Sequence, residues 1–167
     1  MSSPLEKLLN LPGTGVVGYQ LLEGYICLHL QLTSRGINCC HCQQYTEEFH
    51  QTTFLLVRDL PTFGQPVYLK VPRRRFYCRK CQRYVTEILD FIDWRQVHTR
   101  RYEQHIYQRV LTSSVEQVSR EEDLSSDEIQ GIFRRVSNQL KKKIGVPSNV
   151  WAWTKSVKEK VIETLSP

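Results

Sequence analysis

No apolar run in this chain approaches the roughly 20 residues that a membrane-spanning helix requires, so no such span is expected. The opening stretch, MSSPLEKLLNLPG, has neither the basic n-region nor the apolar h-region of a secretory signal. A cytoplasmic, reducing setting follows, in which paired cysteines bind metal more often than they form disulfides. Acidic residues are missing from Lys70 to Arg83, a gap that singles out this segment. Hydrophobic residues make up 40% and charged residues 24% of the chain, a globular balance that argues against wholesale disorder. The 167 residues suffice for one ordinary domain or two small ones. A formal charge of +6 and a pI near 9.1 point to an anionic partner, with nucleic acid the first candidate.

Six cysteines are present: Cys27, Cys39, Cys40, Cys42, Cys78 and Cys81. Four of them form two Cys-x-x-Cys pairs, Cys39 with Cys42 and Cys78 with Cys81, separated by 35 residues. Tetrahedral zinc needs four soft ligands around one point, and each such turn delivers two. The spacer has room for two strands and a turn that bring the second pair back to the first. A redox pair would open a helix inside a βαβ unit, a context that neither pair has. Two disulfides, or unpaired structural thiols, are the remaining reading. Cys40 and His41 lie inside the first pair and are rival ligands, as is His50. Cys27 sits in the alternation GYICLHLQL and is expected to be a small buried hydrophobe.

Seven positive residues surround the second pair: Lys70, Arg73, Arg74, Arg75, Arg79, Lys80 and Arg83. Tyr68, Phe76, Tyr77 and Tyr84 are interleaved with them. PVYLKV and RRRFYC alternate as strands do, so the charges are expected on one face, with Tyr68 and Phe76 helping to cover the metal site. Like charges this close repel unless something negative lies alongside. Double-stranded DNA supplies it, through phosphates whose counterions are released on binding. The alternative is a solvated face, which mixed charges would serve equally well.

Beyond DFIDWRQVHTRRY the spacing becomes helical. Tyr102, Ile106 and Val110 share one side of a first helix. Ser113 and Glu116 fit a capping box ahead of a second, with Val115 and Val118 facing inward. Ser125 and Glu128 repeat the signal ahead of a third, whose stripe is Ile129, Ile132, Phe133, Val136 and Leu140. Two capped helices across a short turn suggest a helix-turn-helix. Ser126, Gln130 and Arg134 fall on the exposed side of its second helix, and Gln and Arg suit bidentate contact with adenine and guanine edges. An ordinary helical bundle is the competing reading.

Together these residues resemble the N-terminal half of the insertion-sequence transposases of the ISL-three class. The likeness runs through LLNLPG, CCHC, LLVRDLPTFGQPVYLKVPRRRFYCRKCQRYVTEIL, HTRRY and VSREEDLSSDEIQGIFRR, covering roughly Leu5 to Lys143. It implies structural zinc on Cys39, Cys42, Cys78 and Cys81, a base-reading helix around Gln130 and Arg134, and binding to the terminal inverted repeats of a mobile element. Departures fall at three places: the first cysteine pair, the helix-turn-helix turn and the stretch after Gly145. Cys40 replaces a usual proline, Asp123 replaces the usual turn glycine, and Glu122 replaces an apolar residue, which is expected to loosen the helix packing. Only 22 residues follow Gly145, too few for the family's RNase H-like domain with its acidic triad. Asp59, Asp90 and Asp93 read as surface or turn residues. No catalytic residue is therefore expected, and any cutting of DNA would need carboxylates from another chain.

The expected fold is α+β. Residues 1–38 form a helix and strands packed on the zinc module, 39–95 the zinc-bound antiparallel β module, 96–145 the helix-turn-helix, and 146–167 a helical tail. In that tail Trp151, Trp153, Val157, Val161 and Leu165 make an amphipathic stripe. The expected function is sequence-specific DNA binding as a truncated or split recognition half of a transposase. A stand-alone repressor of transposition or transcription, and the DNA-binding subunit of a split enzyme, are the alternatives. Partners are double-stranded DNA and a second copy or full-length transposase, with neither membrane nor small-molecule substrate.

Overall fold

The computed structural model describes residues 4–144, and the tail expectations at Trp151 to Leu165 lie outside them. The architecture is α+β, and the chain divides into two compact units, Met1–His105 and Ile106–Pro167.

The first unit opens with α1 (Pro4–Leu9), followed by β1 (Thr14–Leu22) and β2 (Tyr25–Leu32). Two short strands, β3 (Ile37–Asn38) and β4 (Tyr45–Thr46), pair with each other around the first cysteine pair. Then come two 14-residue strands, β5 (Phe49–Thr62) and β6 (Gln65–Cys78), and a short β7 (Arg83–Thr86). The main sheet has the order β1-β2-β6-β5, with β7 paired to the far half of β6. β2 runs parallel to β6; every other pairing is antiparallel. The spacer between the cysteine pairs thus holds the expected two strands and a turn, β5 and β6, with the short β4 ahead of them. Its turn, Phe63-Gly64, has φ of 52° and 75°, the doubly left-handed geometry whose twist matches a two-residue hairpin. Residues 1–38 and 39–95 contribute strands to one sheet, joined through β2 and β6.

Alternation puts Val67, Leu69 and Val71 of β6 on one face, beside Val57 of β5 and Leu30 of β2. Leu9 of α1 and the loop residues Leu89 and Ile92 pack on that face. Each such side chain removed from water contributes about 1.5–3 kcal/mol. Cys27 is buried, as its apolar alternation suggests.

Residues 97–99 return to the outer edge of β5, where Thr99 N–H donates to the Arg58 carbonyl and Arg58 N–H to that of Val97. This return leads into α2 (Arg100–Thr112). Asp59 is only 2% exposed, held by the Thr99 hydroxyl and by both Nε and Nη2 of Arg101. It is an internal anchor and not the surface residue expected, because the chain after β7 folds back over its strand. Asp93 is also engaged, accepting from Arg100 Nε at 2.6 Å.

The second unit holds the end of α2, then α3 (Val115–Glu122) and α4 (Ser126–Ile144). Ile106, Val118, Ile129 and Ile132 are fully buried, and Tyr107 stacks on Phe133 with ring centroids 5.0 Å apart. Leu140, placed by periodicity on the same stripe, is 38% exposed, so the buried stripe ends at Val136.

Candidate metal centre and nucleic-acid interface

Two tight turns carry the four thiols. In the first, between β3 and β4, Gln43 N–H bonds the Cys39 carbonyl at 2.9 Å and His41 N–H donates to Cys39 Sγ at 3.5 Å. The second lies between β6 and β7. Each ends on a left-handed glutamine directly after its second cysteine, Gln43 with φ 57° and Gln82 with φ 53°. That conformation swings the chain back so that both sulfurs of a pair face inward. Gly36 is needed beside the first turn, because a Cβ there would lie 2.3 Å from the Thr46 carbonyl oxygen.

The four sulfurs of Cys39, Cys42, Cys78 and Cys81 lie within 4.8 Å of one another. Cys39 and Cys81 are 3.4 Å apart, and Cys42 lies 3.5 Å from both Cys78 and Cys81. Tetrahedral thiolates at about 2.3 Å from zinc would sit roughly 3.8 Å apart, so the spacing fits that ion. Cys39, Cys78 and Val85 are buried beneath it with Ile37. The His41 backbone N–H holds the Cys39 thiol down to about 6, against the opposing effect of burial. Hydrogen bonding to Cys39, then to Cys78, pushes the Cys81 thiol up. Thiols this close cannot all ionise unaided, and a divalent cation among them removes that conflict. Cys40, His41 and His50 are exposed and stand outside the cluster.

The helix-turn-helix elements are fixed by their caps. Ser114, and not Ser113, caps α3, accepting from Gln117 N–H. The cap is therefore one residue later than expected, and the Gln117 side chain donates to Glu121. Asp123 takes the left-handed position at the end of α3, φ 52° and ψ 48°, where its N–H bonds the Ser119 carbonyl. Ser125 caps α4 through Glu128 N–H, as its spacing suggests. On α4 Gln130 and Arg134 are exposed, with Arg134 Nη2 3.4 Å from Gln130 Oε1, while Ser126 is half-buried. Glu122 does not loosen the packing: it is buried and bonded to Arg109 of α2.

The basic segment does not form one ribbon. Alternation along β6 sends Arg73 and Arg75 to one face and Lys70 and Arg74 to the other. Arg74 makes four hydrogen bonds, two to the Glu87 carboxylate and two to the carbonyl and hydroxyl of Ser34. With its side chain only 16% exposed, Arg74 is a clamp within the fold and not the free surface cation expected. Arg79, though open to solvent, pairs with Glu48 at 2.7 Å. Lys80 and Arg83 are exposed beside the second turn. Lys70 lies over Phe54, with Nζ 5.2 Å from the ring centroid. Phe76 is buried close to the thiols, but Tyr68 is ten residues from Cys78, about 33 Å along the strand, and packs on Tyr25 instead.

Two family models match this chain. A zinc-finger of transposase IS204/IS1001/IS1096/IS1165 covers residues 35–81, all four clustered cysteines included, and the helix-turn-helix domain of transposase family ISL3 covers residues 87–137. The chain carries two domains of the ISL3 transposases, the zinc-finger and the helix-turn-helix. The match is to their N-terminal zinc-finger and helix-turn-helix regions, the DNA-binding part of the family, and structural zinc is part of the fold. The transposase for insertion sequence element IS1001 from Bordetella parapertussis is 35% identical over 119 residues. That alignment takes in 70% of this chain and 29% of the relative, so the chain spans less than a third of the relative it matches. No solved structure matches.

Two features of this chain were not read from the sequence. The paired Cys-Gln steps, Cys42-Gln43 and Cys81-Gln82, were visible as a repeated dipeptide that signals equivalent turns. Trp94, which lies 4.1 Å beneath the Arg73 guanidinium, gave no local sign, because the loop that carries it has no periodicity. No helix among the described residues is long and apolar enough to cross a membrane.

Proposed function

We propose that this chain binds the terminal inverted repeats of a mobile element, with α4 reading base edges in the major groove. The observation that carries this reading is the exposed Gln130–Arg134 pair, one turn apart on a helix that follows a three-residue turn from α3. Gln offers donor and acceptor to adenine, and Arg a fork to guanine. Ser126, at the start of the same helix, faces the phosphates or the first base pair. Cys39, Cys42, Cys78 and Cys81 are the zinc ligands in this reading, and zinc supplies rigidity by joining the turn of the β3–β4 pair to the turn between β6 and β7. Arg73, Arg75, Arg79, Lys80 and Arg83 hold phosphates and set orientation, with Lys70 a more distant contact on the opposite face. A second copy of this chain or a full-length transposase completes the assembly at paired element ends.

The test is selection from random duplexes at physiological salt, run beside duplexes taken from the element ends. Enrichment of a motif shared with those ends supports the reading. Enrichment of nothing above random sequence overturns it.

A further inference from the structure

Arg73 and Arg75 stand two residues apart on β6, so both project from one face. Each guanidinium lies over an aromatic ring: Arg73 over Trp94 at 4.1 Å from its centroid, Arg75 over Tyr84 at 4.8 Å. Tyr84 extends the row, 4.4 Å from the His50 ring and 5.2 Å from Tyr77. Their basic neighbours differ, since Arg74 and Arg79 are engaged by Glu87 and Glu48. Trp94 is 57% and Tyr84 48% exposed. A guanidinium covers one side of a ring, so exposure on this scale leaves aromatic surface open. A solvated basic face needs no such rings, and a core would have buried them.

We propose that this row is a binding surface for unpaired DNA, with bases stacking on Trp94 and Tyr84 and phosphates meeting Arg73 and Arg75. The rings decide for a single strand over a duplex. In a duplex the base faces are stacked on one another, whereas an unpaired base offers its π-face to an aromatic side chain. Aromatic side chains on an open β-sheet face serve the same purpose in proteins that stack unpaired bases. The recess beside Arg73 and Trp94, lined by Leu55, Ile88 and Leu89, holds about 20 Å³, room for a water but not for a base. Contact is therefore stacking on the open rings and not insertion. This inference shares the DNA-binding reading but needs neither α4 nor an inverted repeat.

The experiment measures binding of the full chain to a labelled oligothymidylate and to a random-sequence duplex. Stacking one base on one ring commonly changes affinity by about 5- to 150-fold, so Trp94→Ala and Tyr84→Ala should each weaken oligothymidylate binding by about tenfold or more. Duplex affinity should fall far less, by no more than the lost ring support for Arg73 and Arg75 costs. In a Trp151→Phe/Trp153→Phe background, Trp94 emission should be quenched as oligothymidylate is added. Equal losses on both probes, or none on either, in variants with wild-type zinc content and melting overturn the proposal. Should either alanine variant fail to fold, the quench decides, and unchanged emission at saturating oligothymidylate overturns it. A failed duplex selection with single-strand binding intact would sink the inverted-repeat reading and leave this one standing.

Discussion

Arg109 of α2 reaches across to Glu122 at the end of α3 and binds its buried carboxylate, while its second terminal nitrogen binds Glu121. A carboxylate that is 5% exposed at a helix junction is costly unless paired, and Arg109 supplies a charged partner there. Arg109→Ala removes that cation and leaves the buried charge. Because the Arg109 side chain is 30% exposed, the loss should fall near the low end of the range for broken buried pairs, about 3 kcal/mol. Arg109→Leu/Glu122→Leu should recover most of that loss, since an apolar pair carries no desolvation cost. Urea melts of the three proteins decide the matter; a double variant weaker than Arg109→Ala would refute the pairing.

Adjacent arginines on β6 should behave in opposite ways. Arg74→Ala leaves Glu87, 7% exposed, without its cation and with the longer bond from the Ser34 hydroxyl, so its effect should be on folding, about 3–5 kcal/mol. Arg75→Ala removes a guanidinium supported by the Tyr84 ring. It should leave melting near wild type, weaken DNA binding across sequences, and flatten the salt slope by about 0.9 for the one phosphate that is no longer neutralised. Salt titrations and thermal melts on both variants separate the two roles. A stable Arg74→Ala with a flattened slope would reverse the assignment.

The zinc-bound module should depend on its metal for folding. Binding energy at a structural thiolate site is largely folding energy, so Cys78→Ser or a strong chelator should unfold the first unit. The caps of α3 and α4 and their buried Val118, Ile129 and Ile132 do not involve the metal, so helical signal should persist. Zinc content by atomic emission, with circular dichroism before and after chelation, checks this. Wild-type protein that contains no zinc and keeps its strand signal in chelator would contradict the site.

What the sequence disclosed follows from the range of the interactions involved. A Cys-x-x-Cys turn is local, and only its return to a second pair needs the intervening hairpin, so the thiol cluster was legible. Helix caps are local too, and the slip from Ser113 to Ser114 arose between adjacent serines of equal capping chemistry. Arg74 was not separable from Arg73 and Arg75, because its partners lie just past β7 and in the link after β2, fixed only by sheet register. Asp59 likewise became an anchor only when residues 97–101 returned to the edge of β5. Glu122 broke the expected apolar pattern for the same reason: its compensation stands on another helix. The mixed-sign neutralisation of the basic segment, by Glu48 and Glu87, is long-range throughout.

Base reading by α4 makes the sharpest demand on sequence. Gln130→Ala or Arg134→Ala removes an exposed side chain from a helix held by Ile129, Ile132 and Val136, so stability should be unaffected. The cost should appear as about 1–3 kcal/mol on the selected duplex and nothing on random DNA. Because the two side chains lie within 3.4 Å, the double variant should lose less than the sum of the singles. Competition binding at fixed salt, selected duplex against random duplex, measures each term. Parallel losses on both duplexes would assign Gln130 and Arg134 to the backbone and move base recognition elsewhere on the chain.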